Sequence, residues 1–165
     1  MKSLLIIGAG GYGHVVKEIA EESGYTKVDF LDDVNPDSVG KISDIDRIQY
    51  NYDHCVVAIG NPDVREKLTR VITNPASMIH PKAVISNSAS ISDFCVIEAN
   101  VVINTNAHIG EASYVCAGAV VNYDAYVGSL CQIDCNAVVT SGSIVPDKTK
   151  IQSCSVWVSK SIDEC

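Results

Sequence analysis

The chain has 165 residues, 47% of them apolar, and a formal net charge of −8 at pH 7. These values predict one folded domain or two small ones, and the negative charge argues against nucleic acid or an anionic membrane as the main partner. We find no stretch that predicts a membrane span, no secretory signal and no CxxC pair among the seven cysteines, so we expect a cytoplasmic protein with reduced thiols.

Residues 1–78 alternate between strand and helix patterns. LLIIGAGGYG is typical of a buried strand that runs into glycines, HVVKEIAEESG of a helix, and KVDFLDD of a second strand. HCVVAIG predicts a third strand, and Asn61 is the expected cap of a second helix that begins at Pro62. This alternation predicts a small parallel sheet with right-handed crossovers.

The first strand-to-helix turn carries a GxGxxG motif formed by Gly8, Gly10 and Gly13, with Asp32 and Asp33 about twenty residues later. Glycines at such a turn let phosphate oxygens approach backbone N–H groups, and a carboxylate after the second strand can hold a ribose hydroxyl. Alternatively, the glycines only permit close packing of helix on strand. A dinucleotide needs two such halves, so we expect a nucleotide or nucleotide-sugar rather than NAD, which argues against a dehydrogenase.

From residue 79 onward an apolar residue recurs at every sixth position, and a small or β-branched residue follows each one four positions later. This spacing is typical of a hexapeptide parallel β-helix, in which three hexads form one triangular coil. The apolar anchors then fill the interior, the small residues turn the corners, and Tyr123 stacks between Thr105 and Ser141. The anchors are Ile79, Ile85, Ile91, Ile97, Ile103, Ile109, Val115, Val121, Val127, Ile133, Val139, Val145, Ile151 and Trp157.

The order of IGAGGYGHVV, FLDD, AIGNPDVREKL, IHPKAVIS and the hexads resembles the bacterial sugar O-/N-acyltransferases, a family of hexapeptide-repeat transferases. The family includes sialic acid O-acetyltransferases (NeuD type) and acetyltransferases of UDP-4-amino-sugars (PglD type). The resemblance implies a Rossmann-like α/β domain over residues 1–78, which binds a nucleotide-sugar or sialic acid. It also implies an all-β left-handed parallel β-helix over residues 79–165, and a homotrimer that binds acetyl-CoA between subunits.

The resemblance also implies site residues. The segment VNYDAYVG is similar to the one in which the family carries a general-base histidine followed by an acidic residue, and Tyr123 and Asp124 occupy those catalytic positions. A second family histidine, near the CoA thioester, aligns with Gln132, so we expect Gln132 and Gly142 to bind acetyl-CoA. The residues expected at the acceptor site are Gly10, Gly11, Tyr12, Gly13, Asp32, Asp33 and Asn61.

The tyrosine at position 123 changes the expected chemistry. A phenol is ionised at about one part in a thousand at neutral pH, whereas a general base is typically worth about 10²–10⁴-fold in rate. The resemblance therefore implies an acetyl-CoA-dependent acyltransferase of surface glycan biosynthesis that acts on a nucleotide-linked amino sugar or sialic acid, and the tyrosine at position 123 is expected to impair its activity. The alternative is a non-catalytic, nucleotide-sugar-binding trimer of the same fold.

Few other side chains are candidates for this chemistry. We expect His80 to be structural and His108 to lie about 10 Å along the strand direction from position 123, too far to replace the base within one subunit. The two histidines of the coils are too few for a metal-dependent hydratase, which needs three, so we expect no metal. The cations expected near the CoA phosphates are Lys148, Lys150 and Lys160.

Overall fold

The computed structural model describes residues 2–159, and the chain divides into two compact units, Met1–Pro81 and Lys82–Cys165. None of the helices in the described part of the chain is long and apolar enough to cross a membrane.

Unit 1 is built on a parallel three-stranded sheet with the order β2–β1–β3, which confirms the predicted strand–helix alternation; its Rossmann-like character stays a prediction. All four residues from Leu4 to Ile7 are fully buried in the central strand. The elements described in unit 1 are β1 (Ser3–Ile7), α1 (Gly11–Glu22), β2 (Lys27–Leu31), a 3₁₀ helix (Ile42–Asp44), α2 (Ile45–Ile48), a second 3₁₀ helix (Gln49–Asn51), β3 (His54–Val57), α3 (Pro62–Thr69) and β4 (Met78–Ile79).

Unit 2 is a parallel β-solenoid made of two-residue strands. Its strands are β5 (Val84–Ile85), β6 (Ser90–Ile91), β7 (Val96–Ile97), β8 (Val102–Ile103), β9 (His108–Ile109), β10 (Tyr114–Val115), β11 (Val120–Val121), β12 (Tyr126–Val127), β13 (Gln132–Ile133), β14 (Val138–Val139), β15 (Ile144–Val145), β16 (Lys150–Ile151) and β17 (Val156–Trp157).

These strands form three sheets, with the orders β16–β13–β10–β7, β17–β14–β11–β8–β5 and β15–β12–β9–β6. Paired residues are one coil apart, so that Tyr126 pairs with His108 on one side and with Ile144 on the other. Three sheets connected in this order confirm the β-helix of hexapeptide repeats. The left-handed sense of the coil stays a prediction.

The interior of unit 2 follows the predicted period of six. The anchors from Ile97 to Val145 are at most 1% exposed, and small residues such as Ala107 and Ala119 are fully buried beside them. Ile79 is the exception, because it is 36% exposed and not buried like the later anchors. Ile85 and Ile91 are only partly buried, because they lie in the first coil of unit 2. The repeat period alone therefore does not determine how deeply the first anchors are buried.

The corners of the coils are turned by residues with a left-handed backbone. Asp124 has φ 57° and Asn106, one coil earlier, has φ 57°. Asn and Asp adopt this conformation more readily than other side chains, whereas Gly142 in the next coil has φ 66° at no steric cost. The Asp124 N–H donates to the Thr105 carbonyl at 3.0 Å, and the Gly142 N–H donates to the Tyr123 carbonyl at 3.0 Å. These bonds fix the corner that carries Tyr123.

Candidate functional site

The tyrosine corner of unit 2, which we define as Asn122, Tyr123 and Asp124, joins β11 to β12. The Tyr123 side chain points outward and is 56% exposed, and its hydroxyl makes no hydrogen bond within residues 2–159. Asp124 Oδ1 accepts a hydrogen bond from Asn106 Nδ2 at 3.1 Å. The acidic residue is therefore held by the preceding coil and does not orient the phenol.

A polar ladder supports this corner from the coil before it. Asn104 Nδ2 donates to Asn122 Oδ1 at 3.1 Å, in parallel with the bond between Asn106 and Asp124. In the following coil Gly142 lies beside Tyr123, and a Cβ added at Gly142 would meet open space. The structure thus brings Tyr123, Asp124 and Gly142 together and leaves backbone at Gly142 open to a ligand.

Gln132 lies apart from the tyrosine corner, on the third sheet of the coil. Its Nε2 donates to Asp134 Oδ1 at 2.7 Å, and Asp134 Oδ2 lies 3.3 Å from Lys150 Nζ. Neither of the two sheets that flank Tyr123 contains β13. Lys150 is engaged by Asp134, and the predicted contribution of Lys160 lies outside the described residues.

A second polar group in unit 2 was missed by the sequence analysis. We define the histidine column as Ser90, His108 and Tyr126, which are paired across β6, β9 and β12. His108 Nδ1 lies 2.9 Å from Ser90 Oγ, and its ring stacks on Tyr126 with centroids 4.6 Å apart and planes 15° apart. The period of eighteen residues places all three in one column, so the sequence contained the signal.

In the glycine turn of unit 1, residues 8–13, some glycines are needed for close packing and others leave room for a phosphate, so both interpretations of the motif apply. Gly8 has φ 106°, and a Cβ at Gly13 would collide with the Gly8 carbonyl oxygen, so these two glycines are required by backbone conformation and packing. A Cβ at Gly10 or Gly11 would have no heavy atom within 4 Å. Backbone conformation and packing thus explain two of the three glycines of the motif, whereas Gly10 and the neighbouring Gly11 are open to a ligand at the N-terminus of α1.

Asp32 has a structural function at the glycine turn that the sequence did not predict. Its Oδ2 accepts the Ala9 N–H at 2.8 Å, and its Oδ1 accepts the Val34 and Asn35 N–H groups at 2.9 Å each. These backbone donors, with Ala9 as the largest contributor, hold the pKa of Asp32 below its ordinary value. The carboxylate ties the turn to the loop after β2.

The remaining predicted acceptor residues lie at turns of the same unit. Asp33 Oδ1 accepts the Ile42 N–H at 3.0 Å. Asn61 Oδ1 caps α3 by accepting the N–H groups of Asp63 and Val64 at 2.9 and 3.2 Å, as the sequence predicted. Tyr12 lies in the first turn of α1 and is half-buried. Asp33 and Asn61 therefore have local structural contacts before any ligand binds.

Arg65 is a residue of this region that sequence reasoning missed. It is 1% exposed, and its Nη1 donates to the carbonyls of Ile59 and Gly60 at 2.8 and 3.2 Å. A buried guanidinium is rare without such partners. Its position within PDVREKL resembles an ordinary helix surface, so its burial could not be predicted from the sequence.

The histidine and cysteine side chains outside the column have mainly structural environments. His80 Nε2 lies 3.2 Å from Glu22 Oε2, in keeping with a structural role. Burial raises the pKa values of the Cys55 and Cys95 thiols to about 12, which makes both poor nucleophiles. Within residues 2–159, no group of three or more His, Cys, Asp or Glu residues is arranged to hold a metal ion.

Comparison with known proteins bears on both units. Residues 3–72 match the family model of the PglD N-terminal domain. The acetyltransferase domain of PglB from Neisseria gonorrhoeae has a TM-score of 0.85 at 24% identity, covering 99% of this chain and 94% of that one. The same domain in complex with acetyl coenzyme A has a TM-score of 0.64 at 26% identity, covering 90% and 95%.

A third structure is a histidine-to-alanine mutant of GDP-perosamine N-acetyl transferase from Caulobacter crescentus, in complex with CoA and GDP-perosamine. It has a TM-score of 0.68 at 23% identity, covering 91% of this chain and 93% of that one. The family resemblance predicted from the sequence is confirmed, and the expected enzyme class and acetyl-CoA co-substrate agree with these structures. Residues 3–72 thus match the model of the PglD N-terminal domain family, and the chain as a whole has the fold of these sugar acetyltransferase structures.

Proposed function

We propose that this protein transfers an acetyl group from acetyl-CoA to the amino group of a nucleotide-linked sugar. The observation that carries the proposal is the match over 99% of the chain to the PglB acetyltransferase domain, together with the PglD N-terminal domain in unit 1. One similar structure binds acetyl coenzyme A, and another binds CoA with GDP-perosamine. A sialic acid is a further candidate acceptor, and surface glycan biosynthesis in the cytoplasm is the proposed setting.

Unit 1 is the proposed binding site for the nucleotide. Gly10 and Gly11 leave the N-terminus of α1 uncovered on their side of the turn, and backbone N–H groups there attract phosphate oxygens. Asp33 uses Oδ1 to cap the following loop, which leaves Oδ2 for a sugar hydroxyl. Asp32 supports this site mainly by holding the turn in place.

The proposed assembly is a homotrimer of left-handed coils. An apolar column, which we call the valine face, runs along the outer side of one sheet in unit 2. Isolated valines on a surface are ordinary, but a continuous column of five is typical of a surface covered by another copy of the chain. The terminal members, Val84 and Val156, are 62% and 63% exposed. The valine face consists of Val84, Val102, Val120, Val138 and Val156.

A shared site would also reconcile the positions of the predicted catalytic and CoA-binding residues. Tyr123 and Gln132 lie at different sides of the same coil. A cleft lined by Tyr123 and Gly142 of one subunit and by Gln132 of the next would bring the two sides together. This argument supports acetyl-CoA binding between subunits.

Tyr123 supplies no effective base at the position where the family carries a histidine. If no other group accepts the proton, transfer relies on holding a neutral amine close to the thioester and is slow. The same observation favours the second candidate function, a nucleotide-sugar-binding trimer without catalysis. The two candidates make opposite predictions about turnover.

The test is release of free thiol from acetyl-CoA in the presence of GDP-perosamine, UDP-linked 4-amino-sugars and sialic acid. We expect acetyl transfer to at least one nucleotide-linked amino sugar, with the acetylated product identified by mass spectrometry. Binding of a nucleotide-sugar, seen as a raised melting temperature, without thiol release from any acceptor would instead establish the non-catalytic function.

A further inference from the structure

The histidine column supplies what the tyrosine corner lacks, a positioned imidazole. His108 lies on the outer side of β9, between Ser90 on β6 and Tyr126 on β12. It is half-buried, and both of its flanking side chains are exposed. The column therefore faces outward along the same coils that carry Tyr123.

Two contacts fix the orientation of the His108 ring. The stack on Tyr126, with planes 15° apart, sets the plane of the imidazole, and Ser90 Oγ at 2.9 Å from Nδ1 sets its rotation within that plane. Nε2 makes no hydrogen bond within residues 2–159. If Nδ1–H donates to Ser90 Oγ, the lone pair of Nε2 is directed away from Ser90 and is available to accept a proton.

We propose that His108 is the general base of the acetyl transfer and that Ser90 and Tyr126 are positioning residues. This inference rests on the proposed function. As the acceptor amine attacks, its nitrogen bonds to the thioester carbonyl carbon, and the C–S bond to CoA breaks. The proton lost by the amine passes to His108 Nε2 and then to the departing CoA sulfur, so the products are the acetamide and CoA thiol.

His108 is better suited to this step than Tyr123. An imidazole is a competent proton acceptor near neutral pH, whereas a neutral phenol has almost no basic form there. Its neighbours across the sheet, Ser90 and Tyr126, are both uncharged side chains that hold the ring in place. The acceptor amine would then lie over the β6–β9–β12 sheet, about 10 Å along the strand direction from position 123.

A competing interpretation would make Ser90 a nucleophile activated by His108, with a covalent acetyl-serine intermediate. Such a step needs N–H donors to stabilise an oxyanion. The N–H groups of Ser90, His108 and Tyr126 donate instead to the carbonyls of the next coil, at 2.9, 2.9 and 2.8 Å. Because these donors are occupied, the hydroxyl of Ser90 is better explained as the hydrogen-bond acceptor that keeps the proton of His108 on Nδ1.

The central experiment compares His108→Gln with the matched variant His80→Gln, in which the altered histidine belongs to unit 1. We expect His108→Gln to lower kcat by about 10²–10⁴-fold, the usual contribution of a general base, while acetyl-CoA still raises the melting temperature normally. The pH profile of the rate of His108→Gln should differ from that of the wild type. His80→Gln should match the wild type in rate and pH profile.

Three further variants sharpen the result. Exogenous imidazole should restore part of the rate of His108→Ala. Ser90→Ala should lower kcat more than KM and change the pH profile, because it frees the ring to rotate. Tyr123→His should raise the rate less than tenfold if His108 already accepts the proton, whereas a gain of 10²–10⁴-fold would place the reaction at the tyrosine corner and overturn the proposal.

The possible failures are distinguishable. A His108→Gln variant with the rate and pH profile of the wild type overturns the role of His108 and leaves the acetyltransferase function standing. If the same variant no longer binds acetyl-CoA, His108 binds the co-substrate and is not the general base. A wild-type protein that acetylates no acceptor overturns both this inference and the proposed function.

Discussion

The glycine turn of unit 1 and the tyrosine corner of unit 2 are both sites predicted from a short motif, but the structure treats them differently. At the glycine turn, a contact from a residue distant in sequence decides the role of the side chain: the Asp32 carboxylate accepts the N–H of Ala9, 23 residues earlier. At the tyrosine corner, the neighbours of each residue are those one coil away, such as Asn106 beneath Asp124. A repeat makes side-chain environments predictable from sequence, whereas an α/β loop does not.

The largest expected effect concerns the assembly of unit 2. Val120→Arg places a charge in the middle of the valine face, where its neighbours are Val102 and Val138. A charge buried there without a partner would prevent association, so we expect a threefold drop in the mass measured by light scattering and loss of acetyl transfer.

The matched control for this change is Ile144→Arg, an outward position on another sheet that is 58% exposed. The Ile144→Arg protein should keep the mass of three subunits in light scattering. A wild-type protein that is monomeric at micromolar concentration would contradict the shared-site assembly.

The next effect tests how far the period of six determines stability. Ile109 is fully buried in the interior of the coil, whereas Ile144, in the column of His108 and Tyr126, points outward and is 58% exposed. Ile109→Ala should lower the free energy of unfolding by about 2–5 kcal/mol, and Ile144→Ala should change it by about 0.5 kcal/mol or less, as measured by urea denaturation. Similar losses in both variants would mean that the period does not assign the interior.

The β-helix of unit 2 could be predicted almost entirely from sequence, because one repeated spacing specifies interior, corner and stacking for every hexad. The same spacing also specified the histidine column, since Ser90, His108 and Tyr126 are successive residues at intervals of eighteen. What the spacing could not supply was the rotamer that brings His108 Nδ1 to Ser90 Oγ. In unit 1 the strands and the Asn61 cap were predicted, but the contacts of Asp32 and Arg65 depend on how loops close on each other.

A third prediction separates the two halves of the glycine motif. Gly13→Ala should destabilise unit 1 by about 1–3 kcal/mol, because the new Cβ meets the Gly8 carbonyl oxygen. Gly10→Ala has room for its methyl group and a φ of −74°, so it should leave stability nearly unchanged while weakening nucleotide-sugar binding. Denaturation and calorimetric titration measure the two effects. Unchanged binding in Gly10→Ala would remove the glycine turn from the acceptor site.

The smallest expected effect is the pH dependence contributed by Asp32. Its pKa is lowered in the folded state by three backbone N–H donors, so the ionised carboxylate stabilises the fold at neutral pH. The contribution is fully present above the pKa of the unfolded chain, near 4, and is lost as the pH falls through the lower, folded value. Asp32→Ala should therefore cost about 1 kcal/mol at pH 7, a modest value because the carboxylate is only partly buried.

The gap in stability between the wild type and Asp32→Ala should narrow below about pH 4, because protonation then removes the same charge from the wild type. Asp33→Ala is the matched control, since Asp33 Oδ1 accepts a single backbone N–H group, that of Ile42. Its loss should be smaller than that of Asp32→Ala at pH 7. A gap that stays constant between pH 7 and pH 3 would mean that Asp32 stabilises the turn through hydrogen bonds alone and that its charge contributes nothing.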